Sequence, residues 1–352
     1  MKHKHIYIFL LFSTFLFGSS CTDSKSTKSG RSVYMGMLEH RTINTGEDFV
    51  GNGGPLAIYE DAIIAVDFTL GSSIPPFYCL KPDNDSPSFY HFGSKGQGPN
   101  EFLEPNSLQR IGNNTLGANA PRSRSYYEFT VPLKGEEVRI DKKVALENYS
   151  SYVIKTAFNQ YIALSMMGES MFNIADSTGK TVNAFFEYPY KNNDERERYD
   201  NKVRFFAYQG SLAANPSKTR FAYSANNGDI IHFYDIENNN IRLITKVENE
   251  YPLYGNRNIP GQFGVMLNAE CLKGYLGLYA TDQFVYALFS GKEHNDPKCE
   301  EATTLRVFDW NGNLSKEYEL DIPSLYLCVS DDDSKLWAIA LDPDILLVYF
   351  DL

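Results

Sequence analysis

The sequence predicts an all-β fold of the propeller type, and three observations lead to this prediction. From Val33 onward, short runs rich in β-branched and aromatic residues alternate with Asn, Asp, Gly and Pro, which is typical of strands joined by tight turns. No stretch longer than about ten residues shows the 3.6-residue apolar period of an amphipathic helix. One hairpin unit also recurs along the chain. The clearest strand runs are residues 55–68, 151–166, 230–247, 283–291, 303–320 and 334–352.

The recurring hairpin unit consists of an aromatic strand, an Asp, a polar turn and a second strand. It occurs at residues 172–186, 232–244 and 306–318, with a looser copy at 78–92. Gly and Asn at the turns accept positive φ, and in propellers such a hairpin typically joins the two outer strands of a blade. Roughly 320 residues at about 40–50 per blade correspond to six or seven blades. We predict six blades of four antiparallel strands; a pair of sandwich sheets is the alternative, which the repeated hairpin disfavours.

Two intervals depart from this regular strand pattern. Asp176 and Asp235 are 59 residues apart, whereas Asp235 and Asp309 are 74 residues apart, so the longer interval could contain a degenerate blade around residues 275–290. Residues 191–202 are the best helical candidate, but they have no apolar face. They are therefore predicted to form a solvated loop or a short exposed helix.

Composition excludes two broad classes of protein. The chain of 352 residues contains 24 Tyr, 24 Phe and 2 Trp, and 43% of its residues are hydrophobic, which is too apolar for a disordered protein. Its net charge of −11 disfavours a nucleic-acid partner, because phosphate binding requires a positive surface. We expect residues 33–352 to form one domain and the protein to be a monomer.

The amino terminus has the features of an export signal. Lys2 and Lys4 precede a twelve-residue apolar run from Ile6 to Phe17, which is shorter than the approximately 20 residues needed to span a bilayer. Residues 18–21, Gly-Ser-Ser-Cys, resemble the lipobox of bacterial lipoproteins, although Gly18 stands where Leu is typical. The resemblance implies cleavage before Cys21, acylation of that residue and a lipid anchor in the cell envelope; the alternative is an ordinary secretory signal cut nearby.

Cleavage at this position would leave a polar segment between the lipid and the folded domain. Residues 22–32 contain no large apolar side chain and are predicted to be a flexible tether. Loss of Lys2 and Lys4 would take the net charge from −11 to −13. No later segment reaches about 18 uninterrupted apolar residues, so no transmembrane helix is expected.

Four further cysteines follow Cys21, and none of them has the CxxC spacing of zinc or thioredoxin-like sites. Cys79 and Cys328 lie in strand-like runs, where a buried free thiol is the common state. In an exported protein, Cys271 and Cys299 are the pair to test for a disulfide.

Residues 93–102 carry a glycine-rich motif. Gly96, Gly98, Pro99, Glu101 and Phe102 resemble the G-x-G-P-x-E-F motif of the TolB-like or NHL-like six-bladed β-propeller lipoproteins of Bacteroidota. The resemblance covers residues 33–352 and implies fold more than activity. It assigns the motif a structural role, in which the two glycines permit a sharp path between blades and Phe102 fills the gap between them.

A propeller ring must be closed, because an open ring would expose strand edges. Residues 345–351 are strongly β-forming and end the chain. We expect a strand from residues 33–49 to complete the same blade.

No assembled catalytic motif is present. His40, His91, His232 and His294 belong to no HExxH or His-x-His pattern, and there is no GxSxG. No cofactor is therefore predicted. Asp331, Asp332 and Asp333 lack EF-hand spacing and are predicted to form a turn.

The preferred functional hypothesis is a binding or scaffold protein for an envelope protein, a peptide or a glycan. Tyrosines at strand ends and loops are candidate recognition groups, although most of them are expected to fill gaps between blades; they are Tyr126, Tyr127, Tyr149, Tyr152, Tyr188, Tyr190, Tyr251 and Tyr254. Tyr251, Tyr254 and Arg257 lie in the richest long loop and form the predicted binding loop.

Two further hypotheses remain open. One is a lactonase-like or lyase-like enzyme with a divalent metal held by carboxylates and Asn at the channel mouth. Its candidate ligands, at strand ends, are Glu60, Asp67, Asp229 and Asp282. The other is a purely structural subunit of a larger complex.

Overall fold

The fold is built from short antiparallel sheets arranged as blades around a channel. The computed structural model describes residues 34–43, 45, 52–69, 74–82, 88–166, 168–256 and 264–352. The predicted signal peptide, Cys21 and the predicted tether lie outside these residues, as does Arg257. Two strands precede the first blade: β1 (Tyr34–Leu38) and β2 (Arg41–Thr42).

Blades 1 to 4 are separate four-stranded antiparallel sheets. Blade 1 contains β3 (Gly53–Tyr59), β4 (Ala62–Asp67), β5 (Phe77–Lys81) and β6 (Ser88–Phe92), and is followed by the short pair β7 (Ser94–Lys95) and β8 (Glu101–Phe102). Blade 2 contains β9 (Gln109–Arg110), β10 (Leu116–Ala120), β11 (Ser125–Thr130) and β12 (Arg139–Ala145). Blade 3 contains β13 (Ser150–Lys155), β14 (Tyr161–Ser165), β15 (Phe172–Ala175) and β16 (Thr181–Phe185), and is followed by helices α1 (Asn193–Arg198) and α2 (Asn201–Tyr208). Blade 4 contains β17 (Gly210–Ala214), β18 (Arg220–Ala225), β19 (Asp229–Glu237) and β20 (Asn240–Glu250), and is followed by the ribbon β21 (Tyr254–Asn256) and β22 (Val265–Leu267).

Blades 5 and 6 share one long strand. The remaining elements are β23 (Tyr275–Ala280), β24 (Phe284–Phe289), β25 (Ala302–Asp309), β26 (Leu314–Val329), β27 (Lys335–Asp342) and β28 (Asp344–Asp351). The first part of β26 pairs with β25, whereas residues 324–329 pair with β27. The continuous sheet therefore divides into blade 5 (β23, β24, β25 and the start of β26) and blade 6 (the end of β26, β27, β28 and β2). The prediction of six four-stranded blades is confirmed.

The ring is closed by the two ends of the chain, as expected. Arg41 and Thr42 of β2 lie opposite Tyr349 and Val348 of β28, and the Ile43 amide donates to the Leu347 carbonyl at 2.9 Å. The N-terminal strand thus supplies the outermost position of blade 6. Strand β1 lies on the outside of the neighbouring blade 5, where it runs parallel to β26 as a fifth strand. This fifth strand was not predicted from the sequence.

The recurring hairpins occupy the predicted positions. In blades 1, 3, 4 and 5 the repeated unit forms the two outer strands. The Asp176 and Asp309 carboxylates accept bonds from backbone amides two residues later, at 2.8 and 2.9 Å, and Gly179 and Gly312 supply the positive φ that these turns require. The described residues of the longer interval form no extra blade: residues 275–290 form the inner strands of blade 5, and the ribbon β21–β22 adds to the length.

The hydrophobic core is divided into six clusters, one for each contact between neighbouring blades. The predicted gap-filling role holds for Tyr126, Tyr127 and Tyr188, which are all fully buried. Buried aromatic side chains contribute most of the area that two twisted sheets can bury against each other.

Helices α1 and α2 interrupt the strand pattern between blades 3 and 4. Helix α1 matches the predicted short exposed helix, with the Asn192 side chain accepting from the Glu195 amide at 3.0 Å. Helix α2 was not predicted; it is capped by Asp200 and buries Phe205 and Tyr208. No helix among the described residues has the length and apolar character needed to cross a membrane.

The two sides of the ring differ in what they carry. We call the side with the turns between the first and second strands of each blade the turn face. The opposite side, where the chain passes from one blade to the next, is the link face. Because the first strand of each blade runs in the same direction, the helices, the β21–β22 ribbon and the glycine segment all lie on the link face.

Candidate functional site

A central channel of about 330 Å³ runs between the blades. Every blade contributes its innermost strand to the lining, since residues from β3, β9, β13, β17, β23 and β26 all border it. This volume lies within the range of about 300–1,000 Å³ that small-molecule sites occupy. The channel is therefore the candidate functional site, and all six blades line it.

Side chains from different blades cross the turn-face end of the channel. Arg110 of blade 2 forms an ion pair of 2.6 Å with Asp331, which lies in the turn between β26 and β27 of blade 6. Lys218 of blade 4 donates to the Ile111 carbonyl of blade 2. The residues around Asp331 form the predicted turn, in which the Ser330 amide donates to the Lys335 carbonyl at 2.9 Å.

Aromatic side chains surround the link-face end of the channel, which we call the mouth. Tyr152 comes from blade 3 and Tyr326 from blade 6, and these blades lie opposite each other in a ring of six. Burial raises the pKa of Tyr152, and the Tyr326 phenol raises it further, so the two hydroxyls lie within electrostatic reach of each other. The Phe68 ring meets the Tyr326 ring edge-on at 6.3 Å.

The polar groups that line the channel fall into two sets. Asn106 and Gln109 bind blade 2 to blade 3, because their amides donate to the Ser151 and Lys155 carbonyls at 3.1 and 3.0 Å. By contrast, the side chains of Tyr152, Tyr326, Ser211 and Asn226 make no hydrogen bond within the described part of the chain. Their donors and acceptors remain available to a ligand.

The chemistry of the channel lining is nearly neutral. Arg110, already paired with Asp331, is the sole charged side chain among the described lining residues. An arrangement of aromatic rings, amides and hydroxyls suits a neutral polar ligand.

The four candidate carboxylates do not converge. Glu60 and Asp282 are exposed in turn-face turns, and Asp282 accepts from Asn215 at 3.1 Å. Asp67 and Asp229 are buried at the other end of their strands. Hydrogen bonds from His91 and Thr69 hold the pKa of Asp67 below its ordinary value, although burial acts in the opposite direction.

The four candidate carboxylates therefore do not form one metal site. None of the four carboxylates lines the channel, and Asp229 is already bound by Tyr275 at 2.7 Å and Arg306 at 3.1 Å. Across the described ranges, no three His, Cys, Asp or Glu side chains form a group that could hold a metal ion.

The four histidines among the described residues each have a side-chain partner. His40 contacts Asp321, His91 contacts Asp67, His232 contacts Glu248 and Tyr234, and His294 contacts Asn227. Burial lowers the pKa of His232, while the Glu248 carboxylate acts in the opposite direction. These contacts account for the histidines as parts of the packed structure.

The glycine segment is folded around the carboxylate of Glu101. The Gly98 amide donates to Glu101 Oε2 at 2.7 Å, and a Cβ atom on Gly96 would lie 2.0 Å from the same oxygen. Phe102 is fully buried between blades 1 and 2, with its ring 4.9 Å from that of Phe77 and 5.0 Å from that of Tyr127. Pro99 lies in the turn between β7 and β8.

The predicted binding loop is engaged with its own domain. The Tyr251 hydroxyl donates to Glu248 at 2.8 Å, and the Tyr254 hydroxyl donates to Glu195 of α1 at 2.6 Å. The Tyr254 ring also lies 4.8 Å from that of Tyr199. These two tyrosines hold the β21–β22 ribbon against the helices, and they lie apart from the channel lining.

The cysteines Cys79, Cys271, Cys299 and Cys328 are free thiols, so the Cys271–Cys299 disulfide considered from the sequence is not formed. Cys79 and Cys328 are buried, as predicted. Burial raises the pKa of both thiols.

In the sequence, Tyr152 is one of many candidate tyrosines, and nothing local marks Phe68, Ser211, Asn226 or Tyr326 as members of one site. These five residues come from four blades, with Ser211 and Asn226 both from blade 4, and share no local motif. The available signal was their position on or beside the inner strands, and that position requires knowledge of the blade boundaries.

The fold and the channel define the protein as a six-bladed β-propeller with aromatic side chains at the mouth of its channel. The profile of the TolB-like 6-blade propeller-like family matches residues 54–332. The chain belongs to this family, which confirms the resemblance recognised in the sequence. No curated protein matches the chain.

Solved structures from three bacteria share the fold. An exported-protein candidate from Bacteroides fragilis is 12% identical, with a TM-score of 0.54 over 89% of this chain and 94% of that chain. A 6-phosphogluconolactonase candidate from Bacteroides uniformis is 10% identical, with a TM-score of 0.50 over 84% and 80% of the two chains. The calcium-binding protein regucalcin from Agrobacterium tumefaciens is 10% identical, with a TM-score of 0.50 over 91% and 95%. At these identities the similarity shows the fold alone.

Proposed function

We propose that this protein is an exported, lipid-anchored binding propeller that holds the end of a neutral envelope glycan in the mouth of its channel. The observation that carries the proposal is a set of polar groups beside the aromatic ring of Phe68, on Tyr152, Tyr326, Ser211 and Asn226, that make no hydrogen bond to any residue the structure describes. Sugars offer hydroxyls to such groups and apolar faces to such rings. A peptide end is the closest competing ligand, and its binding is an outcome of the test below.

The location rests on the amino-terminal sequence. A basic start, a short apolar run and a Cys after small residues support export and acylation at Cys21. The mouth lies on the link face, beside the connections between blades. An anchored propeller of this kind would present the mouth to the envelope compartment.

Removing the two phenol hydroxyls at the mouth is expected to weaken glycan binding. Tyr152→Phe and Tyr326→Phe keep each ring but delete a donor, so each change should reduce affinity by about tenfold. Isothermal titration calorimetry with cellotetraose, maltotetraose and triacetylchitotriose measures this, with a neutral tetrapeptide as the peptide probe. Tyr149→Phe is the matched control, because Tyr149 is 55% exposed and lies outside the channel lining.

Either of two results would contradict the proposal. The first is binding of the tetrapeptide without binding of any oligosaccharide. The second is an oligosaccharide affinity that is the same in the Tyr152→Phe and Tyr326→Phe variants as in the Tyr149→Phe control.

The enzymatic alternative makes a separate prediction about metal content. Since no carboxylates converge at the described part of the channel, protein purified without chelator should hold far less than one equivalent of calcium, zinc or manganese. Inductively coupled plasma mass spectrometry provides the measurement. Near-stoichiometric metal that resists EDTA would instead favour a metal-dependent enzyme.

A further inference from the structure

Strand β1 carries an unusual concentration of exposed apolar side chains. Tyr34, Met35 and Met37 are 60%, 51% and 57% exposed, and the strand contains no charged residue. It is an edge strand, since β26 is its one partner in the described structure. Natural edge strands are usually protected by charge or by a covering element.

Two outer strands of other blades follow that rule, whereas β6 of blade 1 and β16 of blade 3 contain no Asp, Glu, Lys or Arg. Strand β12 of blade 2 presents Arg139, Asp141 and Lys143, and β20 of blade 4 presents Arg242 and Lys246. Strand β1 is distinguished by three large apolar side chains that are each more than half exposed, whereas Val182 of the uncharged strand β16 is 42% exposed. Clustered exposed apolar groups mark interaction surfaces.

The position of β1 in the chain indicates what covers it. Cys21, the predicted lipid attachment site, precedes Tyr34 by thirteen residues, a segment that spans at most about 45 Å when fully extended. Residues 22–33 contain Lys25, Lys28 and Arg31 against a single acid, Asp23, in a chain whose net charge is −11. Basic residues beside a membrane anchor are attracted to anionic headgroups, and Tyr is enriched at membrane interfaces.

We propose that β1 is a membrane-contacting strand, whose Tyr34, Met35 and Met37 side chains enter the lipid interface next to the Cys21 anchor. The inference rests on the lipid anchor of the proposed function. It goes beyond that function by assigning a second membrane contact to the folded domain. Because β1 lies on the rim of blade 5, this contact leaves the channel mouth on the link face uncovered.

The test uses the mature lipoprotein, reconstituted into vesicles of phosphatidylcholine and phosphatidylglycerol at a ratio of 4:1. A bimane fluorophore is attached at Met35→Cys or Met37→Cys, in a background where the partly exposed Cys299 is Ser. The phosphatidylcholine is then replaced by its dibromo form, which quenches probes within the bilayer. Leu133→Cys is the matched control, because Leu133 is apolar and 67% exposed but lies after β11 in blade 2.

Bimane at positions 35 and 37 is expected to lose about half of its fluorescence in brominated vesicles, whereas bimane at position 133 should be unchanged. Protein that floats with the vesicles but shows no quenching at 35 and 37 would overturn the role of β1 and leave the anchor intact. Equal quenching at all three positions would also overturn the role of β1. So would bimane self-quenching that rises with protein density, because it would show that β1 pairs with a second copy of the chain. Failure to float would overturn the anchor and this inference together, while glycan binding at the mouth is measured independently.

Discussion

Deletion of residues 344–352 is expected to abolish the cooperative unfolding transition. The deletion removes β28, whose Leu347, Val348 and Phe350 side chains are buried. Each such side chain stabilises the fold by about 1.5–3 kcal/mol, and the sum approaches the total stability of about 5–15 kcal/mol typical of folded proteins. The deletion also strips β2 of its partner and opens the ring. Circular dichroism and calorimetric melting of the mature chain measure the effect.

Deletion of residues 34–37 is the matched control for that experiment. It removes most of β1 but retains β2 and the closure of blade 6. Because Tyr34, Met35 and Met37 are exposed, the melting temperature should change little. An unchanged melting curve after deletion of residues 344–352 would show that closure of the ring does not maintain the fold.

Replacement of Arg306 by Met is expected to lower the free energy of unfolding by about 3–5 kcal/mol, the cost of leaving a buried charge without its partner. Arg306 Nη1 lies 3.1 Å from Asp229 Oδ1, and Arg306 Nε lies 3.0 Å from Glu317. The guanidinium also stacks 3.7 Å from the centre of the Phe289 ring. Asp229 belongs to blade 4 and Arg306 to blade 5, so this ion pair joins two blades. Urea-induced unfolding provides the measurement.

The chain offers a control with similar chemistry at the surface. Arg242 pairs with Asp235 and Glu237, but its side chain is 59% exposed. Arg242→Met should change the stability by about 0–1 kcal/mol, because water and salt screen exposed pairs. The double variant Arg306→Met/Asp229→Asn should recover part of the free energy of unfolding that Arg306→Met loses, because Asn leaves no buried charge at position 229. Equal effects at Arg306 and Arg242 would contradict a buried interblade ion pair.

Much of the fold could be predicted because its signals are local. The outer hairpins at Asp176, Asp235 and Asp309 were recognised from turn residues a few positions apart. The motif at residues 96–102 identified the family for the same reason. Helix α2 was missed, since its eight residues are too few to establish a helical period beside strands that are equally rich in aromatics.

The candidate site could be predicted far less well. Tyr152 and Tyr326 line the same channel although blades 3 and 6 are distant in the chain. Tyr251 and Tyr254, predicted from loop composition, lie apart from the channel lining and donate to Glu248 and Glu195. Tyr254 borders a separate cavity beside α1, and a binding role for this loop stays a prediction. A strand pattern indicates which residues alternate, but it does not reveal which blade lies opposite which.

The sequence by itself determined the strands, the turn chemistry, the family and the need for the two chain ends to meet. These properties depend on neighbouring residues and on the length of a repeat. Only the tertiary structure decided that β26 serves two blades and that Asp229 is bound to Arg306. It also decided that the side chains of Tyr152, Tyr326, Ser211 and Asn226 line one channel, where they make no hydrogen bond to any other described residue. The reason is physical. Closing the ring brings together one inner strand from each blade, so the neighbours of each channel-lining side chain depend on all six blades at once.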